Sequence, residues 1–110
     1  MIVTFQSPAA GDVIMFGDVA HRMMELMGKE PDAKGIVTVE QLPDAIASLR
    51  TAVEADKQQR AAMREEDRPQ YEIGEGGIKR PYVSLAQRVA PLMELLEWSL
   101  KKKKPVVWGV

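Results

Sequence analysis

At 110 residues, with 45% hydrophobic and 28% charged side chains, the chain has globular composition and enough length to bury a core without covalent staples. A formal net charge of −1 gives the whole molecule no field that would draw it to nucleic acid or an acidic membrane, so any such contact must come from a local patch. The absence of cysteine excludes disulfides, thiolate nucleophiles, iron–sulfur ligation and thiolate zinc sites, and one histidine leaves little for imidazole catalysis or metal binding.

No apolar run approaches the roughly 18 residues of a membrane span. The N-terminus lacks the basic start, apolar run and cleavage site of a secretory signal. These features predict one cytoplasmic domain over residues 1–110, with no membrane contact.

Met1-Ile2-Val3-Thr4-Phe5-Gln6 alternates, with Val3 and Phe5 on one face, and predicts a half-buried strand. Ser7-Pro8 has the chemistry of a helix start, a hydroxyl cap followed by proline at the first helical position. The predicted first helix runs from Pro8 to about Met27, with Val13, Phe16, Gly17, Ala20, Met24 and Met27 inward. Asp18→Arg22 and Glu25→Lys29 would form i, i+4 pairs outside, and Gly28 would stop the helix as a left-handed residue. Gly17 costs about 0.5–1 kcal/mol in a helix interior, which implies close approach by another element.

A polar loop from Lys29 to Lys34 leads to Gly35-Ile36-Val37, a short extended piece. Thr38 and Gln41 then form a capping box, and Val37 and Leu42 a hydrophobic staple. The second helix places Leu42, Ala45, Ile46, Leu49, Ala52 and Val53 inward and fades between Asp56 and Met63. Pro43 should distort its first turn.

Apolar periodicity is absent from Arg64 to Arg80, so residues 64–82 read as a flexible charged connector. The competing expectation is a hairpin of Tyr71–Ile73 against Ile78–Tyr82. Ser84 and Gln87 form a second capping box before a third helix that reaches Leu100. Leu85, Val89, Leu92, Leu96 and Leu100 make its inner stripe, widened by Met93, and Glu97→Lys101 its outer pair. Pro91 must kink or split this helix. After Lys101–Lys104 comes Pro105-Val106-Val107-Trp108-Gly109-Val110, too apolar for a loose end and therefore a strand inside the fold.

The expected fold class is α+β, with three helices packed on a small sheet of the N-terminal and C-terminal strands. Ile36-Val37 offers a short third strand. Two strands alone are marginal in water, so a symmetric dimer that continues the sheet is the economical cover for an open edge.

In these stretches the chain resembles the bacterial family of uncharacterised proteins described as domain of unknown function 1840. The residues that carry the resemblance are Ile2-Val3-Thr4-Phe5, Asp12-Val13-Ile14-Met15-Phe16-Gly17, and Gly35 through Pro43. They continue in Val83-Ser84-Leu85, Gln87-Arg88, Pro91-Leu92 and Val106 through Val110. The connector from about Lys57 to Tyr82 carries none of it. The resemblance implies one compact cytoplasmic domain in which the terminal strand and both prolines belong to the fold. It implies no catalytic or binding residues.

Candidate chemistry is sparse. Glu30 to Gln41 has the outline of a calcium loop, but Lys34 stands where an oxygen ligand is needed and Gln41 where a bidentate glutamate belongs. His21 has no second histidine or cysteine to join it. Ser7 and Ser84 are explained as caps, and no nucleophile has a base. No phosphate-cradling glycine motif is present, and no metal or cofactor is expected.

Lys101, Lys102, Lys103 and Lys104 are the one concentrated charge. They suit a helix C-terminus, and they are also where an anion or nucleic acid would bind, with Trp98 or Trp108 available to stack. Met15, Met23, Met24 and Met27 crowd one helix. Met15 and Met23, with Trp98, are the residues expected to present an adaptable interaction surface. The functional expectation is a non-enzymatic, self-associating interaction or accessory module, a homodimer. The alternative is a weak nucleic-acid or anion binder using Lys101–Lys104.

Overall fold

A computed structural model describes residues 1–110 and has an α+β architecture. Strands β1 (Ile2–Ser7) and β2 (Ala10–Phe16) form a hairpin, followed by helix α1 (Gly17–Leu26), strand β3 (Gly35–Val37) and helix α2 (Leu42–Ala62). A small hairpin of β4 (Tyr71–Ile73) and β5 (Lys79–Pro81) comes next, then helix α3 (Leu85–Lys102) and strand β6 (Val106–Trp108). The main sheet has the order β2-β1-β6-β3 and every pairing is antiparallel. No helix is long and apolar enough to cross a membrane.

The C-terminal tail is a strand, and it lies in the middle. β6 pairs with β1 through Phe5–Trp108 and Gln6–Val107, and with β3 through Gly35–Trp108, Ile36–Val107 and Val37–Val106. Trp108 is buried, meets Phe5 edge-on at 5.6 Å between ring centres, and donates its indole N–H to the Asp32 carbonyl at 3.1 Å. The backbone is shaped to admit it. A Cβ on Gly35 would stand in the Trp108 ring, and Gly109 turns the chain with φ +73° against the Ala33 carbonyl, where a side chain has no room.

The largest departure from expectation is the stretch predicted as the start of the first helix. Residues 10–16 are the second strand of a hairpin, and the helix begins only at Gly17. Ser7-Pro8 serves the hairpin turn instead, with the Ser7 hydroxyl accepting the Ala9 N–H at 3.2 Å. Val13 and Met15 face the helices and Asp12, Ile14 and Phe16 face out, a period of two within a β-branched and aromatic run. Gly17 is therefore the first helical residue, and the space its missing Cβ leaves is taken by the side chains of Met1 and Glu75.

The other starts and stops follow local chemistry. Gly28 leaves α1 with φ +82°, and the Lys29 N–H bonds back to the Met24 carbonyl. Both capping boxes form, Thr38 with Gln41 and Ser84 with Gln87. The first closes a tight turn and α2 starts at Leu42, so Pro43 lies in the opening turn, where it removes no helical bond. α3 is continuous through Pro91. The predicted outer pairs are replaced by longer-range ones: Asp18 takes Arg80, Glu97 takes Arg50, and Lys29 bonds Gln41.

All three helices lie on the inner face of the sheet and close one cluster of 20 buried apolar residues. Val37 and Leu42, the predicted staple, are fully buried in it. A buried polar pair ties helix to hairpin, Ser7 to Ser99 at 2.9 Å, with the Ser99 hydroxyl also on the Leu95 carbonyl. From Arg50 to Ser84 no residue is buried, so the second half of α2 and the small hairpin stand at the margin of the core.

Because β6 supplies two partners' hydrogen bonds and the Trp108 side chain, its loss cannot be repaired locally. Trp108→Ala is expected to cost about 3–5 kcal/mol in chemical denaturation. Deletion of Val106–Val110 should leave a chain with no cooperative unfolding transition.

Candidate functional site

The face of the sheet away from the helices is the first candidate. Register places Ile2, Thr4 and Gln6 of β1, Asp12, Ile14 and Phe16 of β2, Val107 of β6 and Ile36 of β3 on it. Ile2 is 64% exposed, Ile14 65%, Phe16 53% and Ile36 42%. Ile2, Ile14 and Phe16 adjoin and leave roughly 300 Å² of apolar surface in water, the size of an ordinary monomer's largest patch, while Ile36 lies apart across Val107 and Gln6. Met1 and Ile78 extend it, lining with Phe16 a concavity of about 540 Å³ at the tip of the small hairpin.

The open edge of β2 borders a groove of about 470 Å³. One wall is the strand itself, Asp12 through Phe16, and the other is α3, with Gln87, Arg88 and Pro91. The strand's free groups follow from its pairing. The Gly17 N–H donates to the Met1 carbonyl at 3.0 Å, so that pair is hydrogen-bonded, and two-residue alternation makes Met15–Val3 and Val13–Phe5 hydrogen-bonded too. The N–H groups of Ile14 and Phe16 and the carbonyl of Asp12 therefore point away from β1, toward the groove.

A charged cleft of about 280 Å³ lies next to the groove and shares Arg88 with it. Arg80 of the small hairpin reaches Asp18 on α1 at 2.8 Å and Glu72 at 3.5 Å, and Arg88 on α3 bonds Glu72 as well. The Arg80 guanidinium also lies over the Phe16 ring, 5.1 Å from its centre, and Arg60 over Tyr82 at 5.2 Å. Together with the Met1 amine on Glu75 at 2.9 Å, these polar contacts seat a hairpin that contributes nothing to the apolar core.

Burial would raise the carboxyl of Asp18, but the hydrogen bond and charge of Arg80 outweigh it and hold the group below its ordinary range. Glu72 is likewise held low, its burial outweighed by Arg88 and then Arg80. The hydrogen bond to Asp18 leads the causes that push Arg80 up. Carboxylates fixed in this way are poor proton donors or acceptors near neutral pH. Asp18, Asp56 and Glu72 face Arg22, Arg80 and Arg88 there, so the cleft's formal charges cancel. No group of three His, Asp or Glu side chains is placed to hold a metal ion.

Two residues expected on an interaction surface are in the core. Met15 is nearly buried because it is an inward residue of a strand, and Met23 is fully buried because the inward stripe of α1 includes Val19 and Met23 beside Ala20 and Met24. Trp98 is on the surface, with the Lys101 and Lys102 ammonium groups 5.0 and 5.6 Å from its ring. Lys103 ends α3 in the left-handed conformation, the Lys104 N–H bonds the Ser99 carbonyl, and Lys102 also reaches the Ala9 carbonyl at 3.3 Å. His21 is half-buried on α1, with its Nε2 unpartnered. The residues that sequence reasoning missed are Ile14 and Phe16. Alternation over Asp12–Phe16 was the signal that could have found them.

Asp18 and Glu72 titrate lower when folded than their unfolded values of about 3.9 and 4.3. Their contribution to stability is thus complete above the unfolded values and is lost as pH falls through the folded ones. Glu72→Gln should lower the melting temperature at pH 7, at a cost of roughly 1 kcal/mol for a partly exposed network. The gap to the unmodified chain should close as pH falls from about 5 toward 3, measured by thermal unfolding across that range.

No curated protein and no solved structure matches the chain. A family model does, over residues 1–108, and its span includes β6, both prolines and the 64–82 segment. The chain belongs to the family described as domain of unknown function (DUF1840).

Proposed function

We propose that the chain is a non-catalytic, self-associating interaction module. The observation that carries this reading is the apolar cluster of Ile2, Ile14 and Phe16 on the outer face of the sheet, which reaches the open edge of β2. The expected two-stranded sheet is not the reason, since the sheet has four strands. What calls for cover is apolar surface and one long edge. A net charge of −1 puts little repulsion between copies. The paired, low-titrating carboxylates of the adjoining cleft and the absence of a nucleophile beside a base argue against catalysis there.

The chain is expected to sediment as a dimer at micromolar concentration. Ile14→Lys, at an exposed position, should leave the circular dichroism spectrum unchanged and weaken association by at least about tenfold, roughly 1.4 kcal/mol. A strictly monomeric unmodified chain would overturn the reading.

A second reading has one observation in its favour: none of Lys101, Lys102, Lys103 and Lys104 is ion-paired. On that reading the lysines bind an anion or nucleic acid, although two of them already cover the Trp98 ring on which a base would stack. Changing all four to serine should then reduce both affinity for single-stranded nucleic acid and the steepness of its salt dependence. Equal binding by both proteins across a salt series would remove it.

A further inference from the structure

We infer that the second copy joins along the β2 edge, strand against identical strand, about a two-fold axis beside Ile14. The inference rests on the self-association proposed above and adds its site and register. β2 is the only long edge of the main sheet. The opposite edge, β3, has three residues, whereas β2 has seven; its guards against pairing are Asp12 and a bulge between Ala10 and Val13, which leave Val13 to Phe16 regular.

The register comes from matching three kinds of group. The backbone groups that face out from Ile14 can exchange both N–H···O=C bonds with those of the second copy's Ile14. On either side, the Phe16 N–H of one copy meets the Asp12 carbonyl of the other. A shift by one residue would aim inward-bonded groups at the edge and lose these bonds.

Side chains agree with the same register. On the outer face Ile14 meets Ile14. On the inner face Val13 meets Met15, and the reverse, above the Val83 and Pro91 side of the groove. Apolar meets apolar at every pair but one. The exception is Asp12 opposite the second copy's Phe16, and charge resolves it. Asp12 is exposed and in no ion pair, while the ring it would face carries the Arg80 guanidinium. Two copies therefore place an unpaired carboxylate beside a cation at each end of the shared ladder. The result is one sheet of eight strands in which each β2 edge covers the other.

Site-directed cross-linking tests this, because the chain has no cysteine of its own. Hydrogen-bonded antiparallel partners stand about 5.5 Å apart between Cα atoms, within the disulfide range of about 4.4–6.8 Å. Ile14→Cys should form a covalent dimer under mild oxidation. Ile2→Cys, three strand spacings across and four residues along from its mate, roughly 20 Å away, and Ile36→Cys on the far edge should not. Ile14→Pro removes only the outward N–H and should abolish the dimer while the monomer keeps its circular dichroism. A dimeric chain that cross-links through Ile2 or Ile36 instead, or dimerises undiminished with proline at position 14, would overturn the edge contact and leave self-association standing. A monomeric chain would overturn both.

Discussion

The sheet depends on a strand that arrives last. β6 is three residues long, yet it fills the slot between β1 and β3 and holds both with backbone bonds. Without it the order β2-β1-β6-β3 separates into a hairpin and an isolated three-residue piece, neither stable in water. The slot explains features far away in sequence: Gly35 because Trp108 crosses it, Gly109 because the chain must turn against Ala33, and the Asp32 carbonyl because the indole N–H needs an acceptor. α3 delivers the strand. Its Lys103 adopts φ 55° to reverse the chain, and its Ser99 is fixed to Ser7 on the strand that β6 must reach. A sheet whose centre forms from residues about a hundred positions apart also has high contact order, so closure must wait for the whole chain.

Features encoded within a turn or two were readable in the sequence. Both capping boxes, the Gly28 stop and the Val37–Leu42 staple need only near neighbours, and each is present, while the terminal strand is legible from its apolar composition alone. The stretch from Ser7 to Phe16 carries ambiguous signals. Ser-Pro opens a turn as well as a helix, and Val13, Phe16 and Ala20 fit a helical spacing by coincidence with a strand that hands over to a helix at Gly17. Residues 64–82 were ambiguous for a different reason. Their hairpin is held by Asp18, Glu72, Arg80 and Arg88, and partners 16 and 62 residues apart leave no local periodicity to see.

The outward face of β2 is illegible for the same reason. With Pro8 to Met27 read as one helix, Ile14 had no sheet to face out from, and the open edge of β2 did not exist. Met15 changes face because the residues before Gly17 follow a strand's period of two, whereas Met23 is buried because the inward stripe of α1 is wide enough to take in Val19 and Met23. The lysines were legible as a helix end because that role is local: a left-handed cap and two ammonium groups over Trp98.

The charged network and the apolar face meet at one residue. Phe16 is the last residue of β2, lies in the outer patch and the edge groove, and has Arg80 across its ring. Arg80 cannot take up that position unless the small hairpin is seated, because β5 carries it and Asp18 and Glu72 aim it. Seating by ion pairs rather than by apolar burial makes this the part of the fold most sensitive to acid and to salt. The end of the β2 edge is therefore completed by a segment whose hold is electrostatic, while the strand beneath it is fixed by the core through Met15 and Val13. Conditions that weaken the pairs would withdraw the cation from Phe16 without disturbing the ladder of β1 and β2. On physical grounds, electrostatic control of this surface would act at Phe16 and spare Ile14.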